Sequence, residues 1–465
     1  MDKETRASSA SESERPESVS ARNKEAGLDS APETRVAKQN SLALPGPPAI
    51  PESPSDPGDS IPDGGLEAWL QVVGSWVLLV GTWGMVNSYG VFQTYYETEL
   101  LSTSSSSSIS WIGSLQAALL TLVGVLSGPL FDQGYFRELL WAGSFLIVLG
   151  QFMTSLCHTY WQVLLAQGIT MGLGMGLVFL PSAAILAQYF RRRRALALGI
   201  SSTGSPVAGI IIPVIFSRLQ PVIGFGWATR VIAFVLLAIS AVPVAFMHTR
   251  VPPSGKSRAL FDPTALRDGP FLLTIASLFF LFLALYVAFF YIQLFAESRG
   301  LAGPDFSPYL VTLLNVGSVP GRIVPNAVAD RAGSLNVLLA CAAASAALLL
   351  GWLAIGDLGG LVAFAVLYGL FSGGIVSVTP SVVMSLTPDL GRVGARLGTC
   401  FLLTGSSVLV GTPIAGAILG GRAGPGAAPE WTGTIAYAAA GLGVGTLGCL
   451  AARVALFRKN GGARA

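Results

Sequence analysis

Apolar residues run in long, almost uncharged stretches from Trp69 to Ala455, separated by short polar clusters. Runs of about 18 residues or more with this character have the length of membrane-spanning helices. Twelve are predicted, at 69–93, 109–131, 138–157, 161–187, 195–217, 227–248, 271–295, 308–329, 335–355, 360–384, 396–419 and 431–455. Gly and Pro inside them do not argue against helix, because packed neighbours re-satisfy the backbone. Residues 1–62 show the opposite pattern. SASESERPESVS and PGPPAIPESPSDPGD are rich in Ser, Pro and Glu and poor in large apolar groups. Such a segment cannot bury enough surface to offset its ordering entropy, so a disordered tail is expected, with serine phosphorylation as a second reading of its role. No apolar run follows its first basic residues, so it does not read as a signal peptide.

Composition strengthens the membrane reading: 52% of residues are hydrophobic and 11% charged, where a soluble domain carries roughly a quarter charged. The net charge of +3 is spread over connectors, so no nucleic-acid partner is expected. Placing the N-terminus inside assigns sixteen basic residues to the cytoplasmic side, among them Arg137, Arg191 to Arg194, Arg250, Arg267, Arg331, Arg392, Arg396 and Arg453. Only Arg218, Arg230, Arg299 and Arg422 fall outside. The positive-inside rule therefore predicts cytoplasmic N- and C-termini. Cys157, Cys341, Cys400 and Cys449 fall in or beside spans and read as small apolar residues. No His/Cys metal spacing, Walker loop or nucleophile–base constellation is present, so no metal, cofactor or enzyme activity is expected. His158 and His248 stand at span ends and read as interfacial.

The chain repeats itself. Residues 249–269, the longest polar connector, divide a six-helix half (63–248) from a second (270–457), with a short tail at 458–465. Gly128-Pro-Leu-Phe-Asp132-Gln-Gly134 follows the second span, and Asn326-Ala-Val-Ala-Asp330-Arg331-Ala-Gly333 follows the eighth. Thr203-Gly204-Ser205 in the fifth span is matched by Thr404-Gly405-Ser406 in the eleventh. Two six-helix halves with matching loops imply an all-α membrane protein of major-facilitator architecture, its substrate site between the halves near the midplane.

Two local patterns sharpen this. Arg191 to Arg194 stand directly against a helix bearing Gly199, Gly204, Ser205, Ala208 and Gly209, small enough for close helix approach. Tyr189-Phe190, the basic run, Ala-Leu-Ala, Gly199 and Gly204-Ser205-Pro206 together resemble the fifth-helix signature of the monocarboxylate porters, a branch of the major facilitator superfamily. Asp63-Gly64-Gly65-Leu66-Glu67-Ala68-Trp69 resembles that family's other signature, at the entrance to the first helix. The resemblance covers about residues 61–457. It implies that Asp132 with Gly134 and Arg137, and Asp330 with Arg331 and Gly333, form conformational latches, with the 191–194 block, Arg392 and Arg396 as further partners. An acid near a helix N-terminus is worth about 0.3–1 kcal/mol, more beside a cation; the plain alternative is a good turn.

Arg322 lies well inside the eighth span, where a charge is costly and by default functional. The resemblance implies a substrate-carboxylate clamp at this place, a role suited to a guanidinium; snorkelling, or bracing the Asp330 loop, is the structural alternative. Where the lactate-type members carry a first-helix lysine and an aspartate one turn before the arginine, this chain has Asn87 and Ser318. Set among aromatics such as Trp83, Tyr89, Phe92, Tyr286 and Tyr291, the expected site (Arg322, Asn87, Ser318, Trp83, Tyr291) suits a larger, partly apolar small organic anion or amphipathic metabolite better than lactate. A proton is the candidate coupling ion. The wording of both signatures resembles fungal members, which include importers of carboxylates or vitamins and exporters of secondary metabolites. A non-transporting nutrient sensor is the alternative of another class. The expected location is the plasma membrane.

Overall fold

The structure is a computed structural model that describes residues 63–191, 193–251, 262–387, 392–421 and 431–459. The tail expected over 1–62, Arg192, the middle of the connector (252–261) and the C-terminal residues 460–465 lie outside the described residues. The described residues are helical and contain no strand.

The first four helices are α1 (Leu66–Leu100), α2 (Ser106–Asp132), α3 (Phe136–Thr154) and α4 (Tyr160–Tyr189). A short α5 (Arg194–Ser202) leads into α6 (Gly204–Phe246). A single 3-10 turn, Pro263–Arg267, precedes the second series. That series is α7 (Gly269–Ser298), α8 (Pro308–Ala332), α9 (Ser334–Trp352), α10 (Leu358–Ser385), α11 (Val393–Gly421) and α12 (Trp431–Lys459).

Ten helices among the described residues are long and apolar enough to cross a membrane. The stretch Leu196–Phe246, 51 residues long, breaks at Gly224 (φ 76°, ψ 165°), between the two spans expected at 195–217 and 227–248. The 25-residue α8 stands outside the ten, its apolar character diluted by Asn315, Arg322, Asn326 and Asp330. Helix starts follow local chemistry. The Ser105 hydroxyl accepts from the Ser108 N–H at 3.1 Å to begin α2. The Asp357 carboxylate accepts from the Gly360 N–H at 2.8 Å to begin α10. α1 does not run as one regular helix: π turns at Val80–Gly84 and Tyr96–Leu100 re-aim its side chains, a device common at functional sites.

Among the described residues the two halves meet chiefly along three helix pairs. α2 runs antiparallel to α11: the Ser107 hydroxyl donates to the Pro413 carbonyl at 2.9 Å, Ser114 and Thr412 share a bond of 2.5 Å, and Gly405 packs on Thr121. α1 meets α7 where Gly90 lies on the Phe289 carbonyl, and α6 meets α8 where Gly209 lies on Asn315. Within the second half, Gly317-x-x-x-Gly321 of α8 faces Gly369-x-x-x-Gly373 of α10. A Cβ on Gly317, Gly321 or Gly369 would strike a backbone carbonyl of the opposite helix. Without lipid-excluded water to drive association, such small-residue steps let backbones pack directly.

Gly204 and Gly209 make the close approaches expected of them, against the Trp76 carbonyl and Asn315. Gly199 does not: nothing stands within 4 Å of where its Cβ would be. It belongs to the short α5, which precedes the close packing.

Candidate functional site

The break in α1 at Val80–Gly84 presents Trp83 to the seam, where its ring stacks on Tyr286 of α7 (6.0 Å, 13°). Trp83 also meets Phe179 edge-on at 5.9 Å, and Phe179 meets Phe401 of α11 at 5.7 Å. Aromatic side chains from both halves thus join across the seam. One turn further along α1, the Asn87 amide donates to the Ser205 hydroxyl at 3.1 Å. Its carbonyl accepts from the Asn315 amide at 3.5 Å. Both asparagines are buried, and the side-chain oxygen of Asn315 makes no hydrogen bond among the described residues.

Arg322 stands two helical turns from Asn315 on α8. It is 6% exposed. One terminal nitrogen donates to the Ser202 carbonyl at 3.3 Å, at the end of α5. Its Nε is buried and makes no hydrogen bond among the described residues. Tyr286 is the titratable group within electrostatic reach. A buried guanidinium with one carbonyl partner and an unused donor is costly to keep without a ligand, and its fork geometry suits an anionic oxygen pair.

Asn87 and Arg322 therefore converge on one stretch of α5–α6, from Ser202 to Ser205, while Trp83 stacks on Tyr286, the ring that lies within electrostatic reach of Arg322. The other two expected site residues stand elsewhere. Ser318 is buried against Gly373, on the α10 side of α8. Tyr291 lies further toward the end of α7, where its hydroxyl pairs with Ser110 of α2 and contacts the Thr412 carbonyl at 3.4 Å. Asn315 and Ser202 are additions that a search for charges passed over. The signal available for Asn315 was its spacing: seven residues before Arg322, two turns along one helix face.

The two sequence signatures of the first half touch each other. The Asp63 carboxylate accepts from the backbone N–H groups of Arg191 (2.6 Å) and Arg193 (3.4 Å), while its own N–H donates to the Tyr189 carbonyl at 3.1 Å. Trp69 packs edge-on against Phe190 at 5.4 Å. The Tyr189 hydroxyl donates to the His248 carbonyl at 2.9 Å, and the His248 ring meets Glu67 at 2.9 Å. Arg194 opens α5, and Pro206 sits in the first turn of α6, where its missing N–H costs nothing. The second half has its own dock between the approach to α7 and the start of α11. Arg396 donates to Asp262 (3.1 Å) and Asp268 (3.0 Å), and lies over the Phe271 ring at 4.8 Å. Lys459 pairs with Asp268 at 3.1 Å, and Arg392 donates to Thr264 at 2.7 Å.

The Thr264 hydroxyl, then Arg396 and Arg392, hold the Asp262 carboxyl below the usual carboxylate range against the effect of its burial. This dock thus contributes stability at neutral pH and loses it only as pH falls through that lowered value. In the first half, Asp63→Ala is expected to cost about 1 kcal/mol, the worth of a helix-type cap, with Asp63→Asn keeping most of it. A detergent melting curve checks this; an unshifted midpoint for Asp63→Ala would contradict the dock.

The expected latch loops are tight turns. Gly134 (φ 100°) and Gly333 (φ 87°) both adopt the left-handed backbone that glycine alone takes without strain. Asp330, Arg137 and Arg331 are exposed. Arg392 and Arg396, expected beside Asp330, are engaged by Asp262 and its neighbours, which the polar connector delivers to them.

Residues 69–357 match the family model described as Major Facilitator Superfamily. The chain belongs to the Major Facilitator Superfamily. It is 44% identical to the MFS-type transporter dbaD of Emericella nidulans, over 77% of this chain and 80% of that one. It is 36% identical to the aspyridones efflux protein apdF of the same fungus, over 80% of this chain and 75% of that one. The crystal structure of the nucleoside transporter NupG shares the fold at a TM-score of 0.64 and 12% identity, covering 83% of this chain and 99% of that one. A member of the Major Facilitator Superfamily with these helices is an integral, multi-pass membrane transporter.

Proposed function

We propose that this transporter is of the monocarboxylate-porter type and exports a small organic anion or amphipathic metabolite by alternating access. The two six-helix halves rock about Arg322 and Asn87, twelve helices span the membrane, and the arginine-bearing end faces the cytoplasm by the positive-inside rule. The observation that carries the reading is Arg322: buried at the seam between the halves, with a donor unused. The aromatic and amide neighbours, with no lysine or acid beside them among the described residues, favour a cargo larger and more apolar than lactate. Export is favoured over carboxylate or vitamin import because one relative is an efflux protein for a fungal metabolite.

Comparative profiling of cells and medium with and without the gene tests this. A compound that accumulates inside and falls in the medium supports export and names the cargo. A compound that stays in the medium and falls inside makes the protein an importer. No difference in any metabolite favours the sensor alternative. The latch reading has its own test: Asp132→Ala is expected to reach the membrane normally and slow transport about tenfold, the order of a partly buried charge contact. Unchanged transport at equal surface amount would leave the loop as a turn only.

A further inference from the structure

Both halves carry the same polar triplet at the end of the bundle opposite Arg137, Arg191, Arg194 and Arg331. In α1 the Gln93 amide donates to Glu97, and the Ser106 hydroxyl at the start of α2 donates to the same carboxylate at 2.6 Å. In α7 the Gln293 amide donates to Glu297 at 3.1 Å, and the Ser307 hydroxyl before α8 donates to it as well. Each glutamine is buried, and in each the amide oxygen makes no hydrogen bond among the described residues. The halves differ in one respect. The Gln93 nitrogen also donates to Ser110 at 3.1 Å, and Ser110 pairs with Tyr291 across the seam. A continuous chain of hydrogen bonds therefore runs from Glu97, through Gln93, Ser110 and Tyr291, to the Thr412 carbonyl of α11.

We propose that Glu97 is the proton-binding site of this transporter and that its protonation releases the seam between α2, α7 and α11. In the arrangement described, Glu97 accepts two hydrogen bonds and forms no ion pair with any described residue. A carboxylate within a membrane helix that is held by neutral donors can take a proton without breaking an ion pair to any described residue. When it does, its new O–H needs an acceptor, and the idle oxygen of Gln93 is one amide flip away. The flip turns the Gln93 oxygen toward Ser110 and draws the Ser110 proton to it; Tyr291 then donates to Ser110, and the Thr412 carbonyl of α11 loses its donor. The proton comes from water at that end of the bundle and forms an O–H bond on the carboxylate; nothing is oxidised or reduced.

Among the described residues the surroundings supply no competing switch. α2 offers hydroxyls at this level, Ser106 and Ser110. Tyr291 of α7 and Tyr89 of α1 are the titratable groups within electrostatic reach. Tyr96 donates to Gln167 of α4 at 2.6 Å, and Glu99 accepts from Gln220 of α6 at 3.4 Å. Arg218 of α6 is taken up by Tyr309 of α8, donating at 2.9 Å and lying over its ring. Glu297 of α7 has its own glutamine and serine. Arg422 and Glu430 lie outside the described residues.

The proposal relies on the transporter reading for its consequence, but its test needs no cargo. Spin labels at Thr103→Cys and Asp305→Cys, in full-length protein whose four native cysteines are replaced by alanine, report the separation of the two halves at this end. Between about pH 8 and pH 5 the ratio of separated to closed populations should rise by at least about tenfold, one bound proton allowing at most a factor of about ten per pH unit. Glu97→Gln should hold one distribution at every pH. Gln93→Met, which keeps the carboxylate and cuts its link to Ser110, should do the same, so the result does not hang on one variant. Glu297→Gln should keep the wild-type response. A flat wild-type response, or a wild-type response in Glu97→Gln, would overturn the assignment. Failure of the cargo reading would show instead in the metabolite profiles, with this response intact.

Discussion

Arg322→Met is expected to reduce transport about ten- to a hundredfold while the protein folds at least as well as wild type. A hydrogen bond to a charged group is worth about 1.5–3 kcal/mol, and each 1.4 kcal/mol is about tenfold. The substitution keeps most of the side-chain volume and removes a cation that is 6% exposed and holds one carbonyl partner. Replacing such a charge by an apolar residue of similar size is commonly neutral or stabilising. The opposed directions separate the two roles open to this residue. A substrate contact loses transport and keeps or gains melting temperature; a structural brace loses both together. Arg322→Lys should recover little, because an ammonium cannot present the paired donors of a guanidinium. Flux of the profiled cargo at equal surface amount, with a melting curve alongside, decides between these outcomes. Wild-type flux in Arg322→Met would remove Arg322 from the site.

Gly369→Leu is expected to have the largest effect on folding, about 3 kcal/mol or more, with little protein surviving in the membrane. A Cβ at Gly369 would collide with the Leu314 carbonyl, which is helix backbone and cannot rotate aside. Overpacking against side chains costs about 1–3 kcal/mol; here α8 and α10 must separate, and the contacts at Gly317, Gly321 and Gly373 go with them. Gly351→Leu, on α9 with nothing within 4 Å of its Cβ position, is the matched control and should be tolerated. Melting midpoints and membrane yields of the two variants measure the difference. Equal behaviour would mean that the α8–α10 contact carries little of the stability.

The helices were legible because a span declares itself by length and absence of charge, both properties of a contiguous segment. The expected span at 308–329 is a case where that signal is weak, since Asn315 and Arg322 sit inside it, yet it forms a helix of 25 residues. Arg322 itself stood out as a charge in an apolar run. What could not be read was which side of a helix each residue turns to. Ser318 is one turn from Arg322 in sequence but packs on Gly373, and Tyr291 is part of the α2–α11 seam. Those outcomes depend on how helices far apart in the chain cross, and on the π turns of α1, which no hydropathy pattern records. The contact between Asp63 and the 191–193 backbone is of the same kind: two motifs are visible in the sequence, and their meeting is visible only in space.

The direct backbone packing of α8 on α10 also bears on how such a protein could change its cargo over evolutionary time. The wall that holds Arg322 is built from steps where even one added carbon is excluded, so few substitutions there are survivable and the place of Arg322 is effectively frozen. The facing wall is made of side chains, Trp83, Asn87 and Tyr286, that meet through rings and amides. On the proposed reading of Arg322, new specificities should therefore arise by exchange on α1 and α7, with the charge recognised staying the same while the shape recognised drifts.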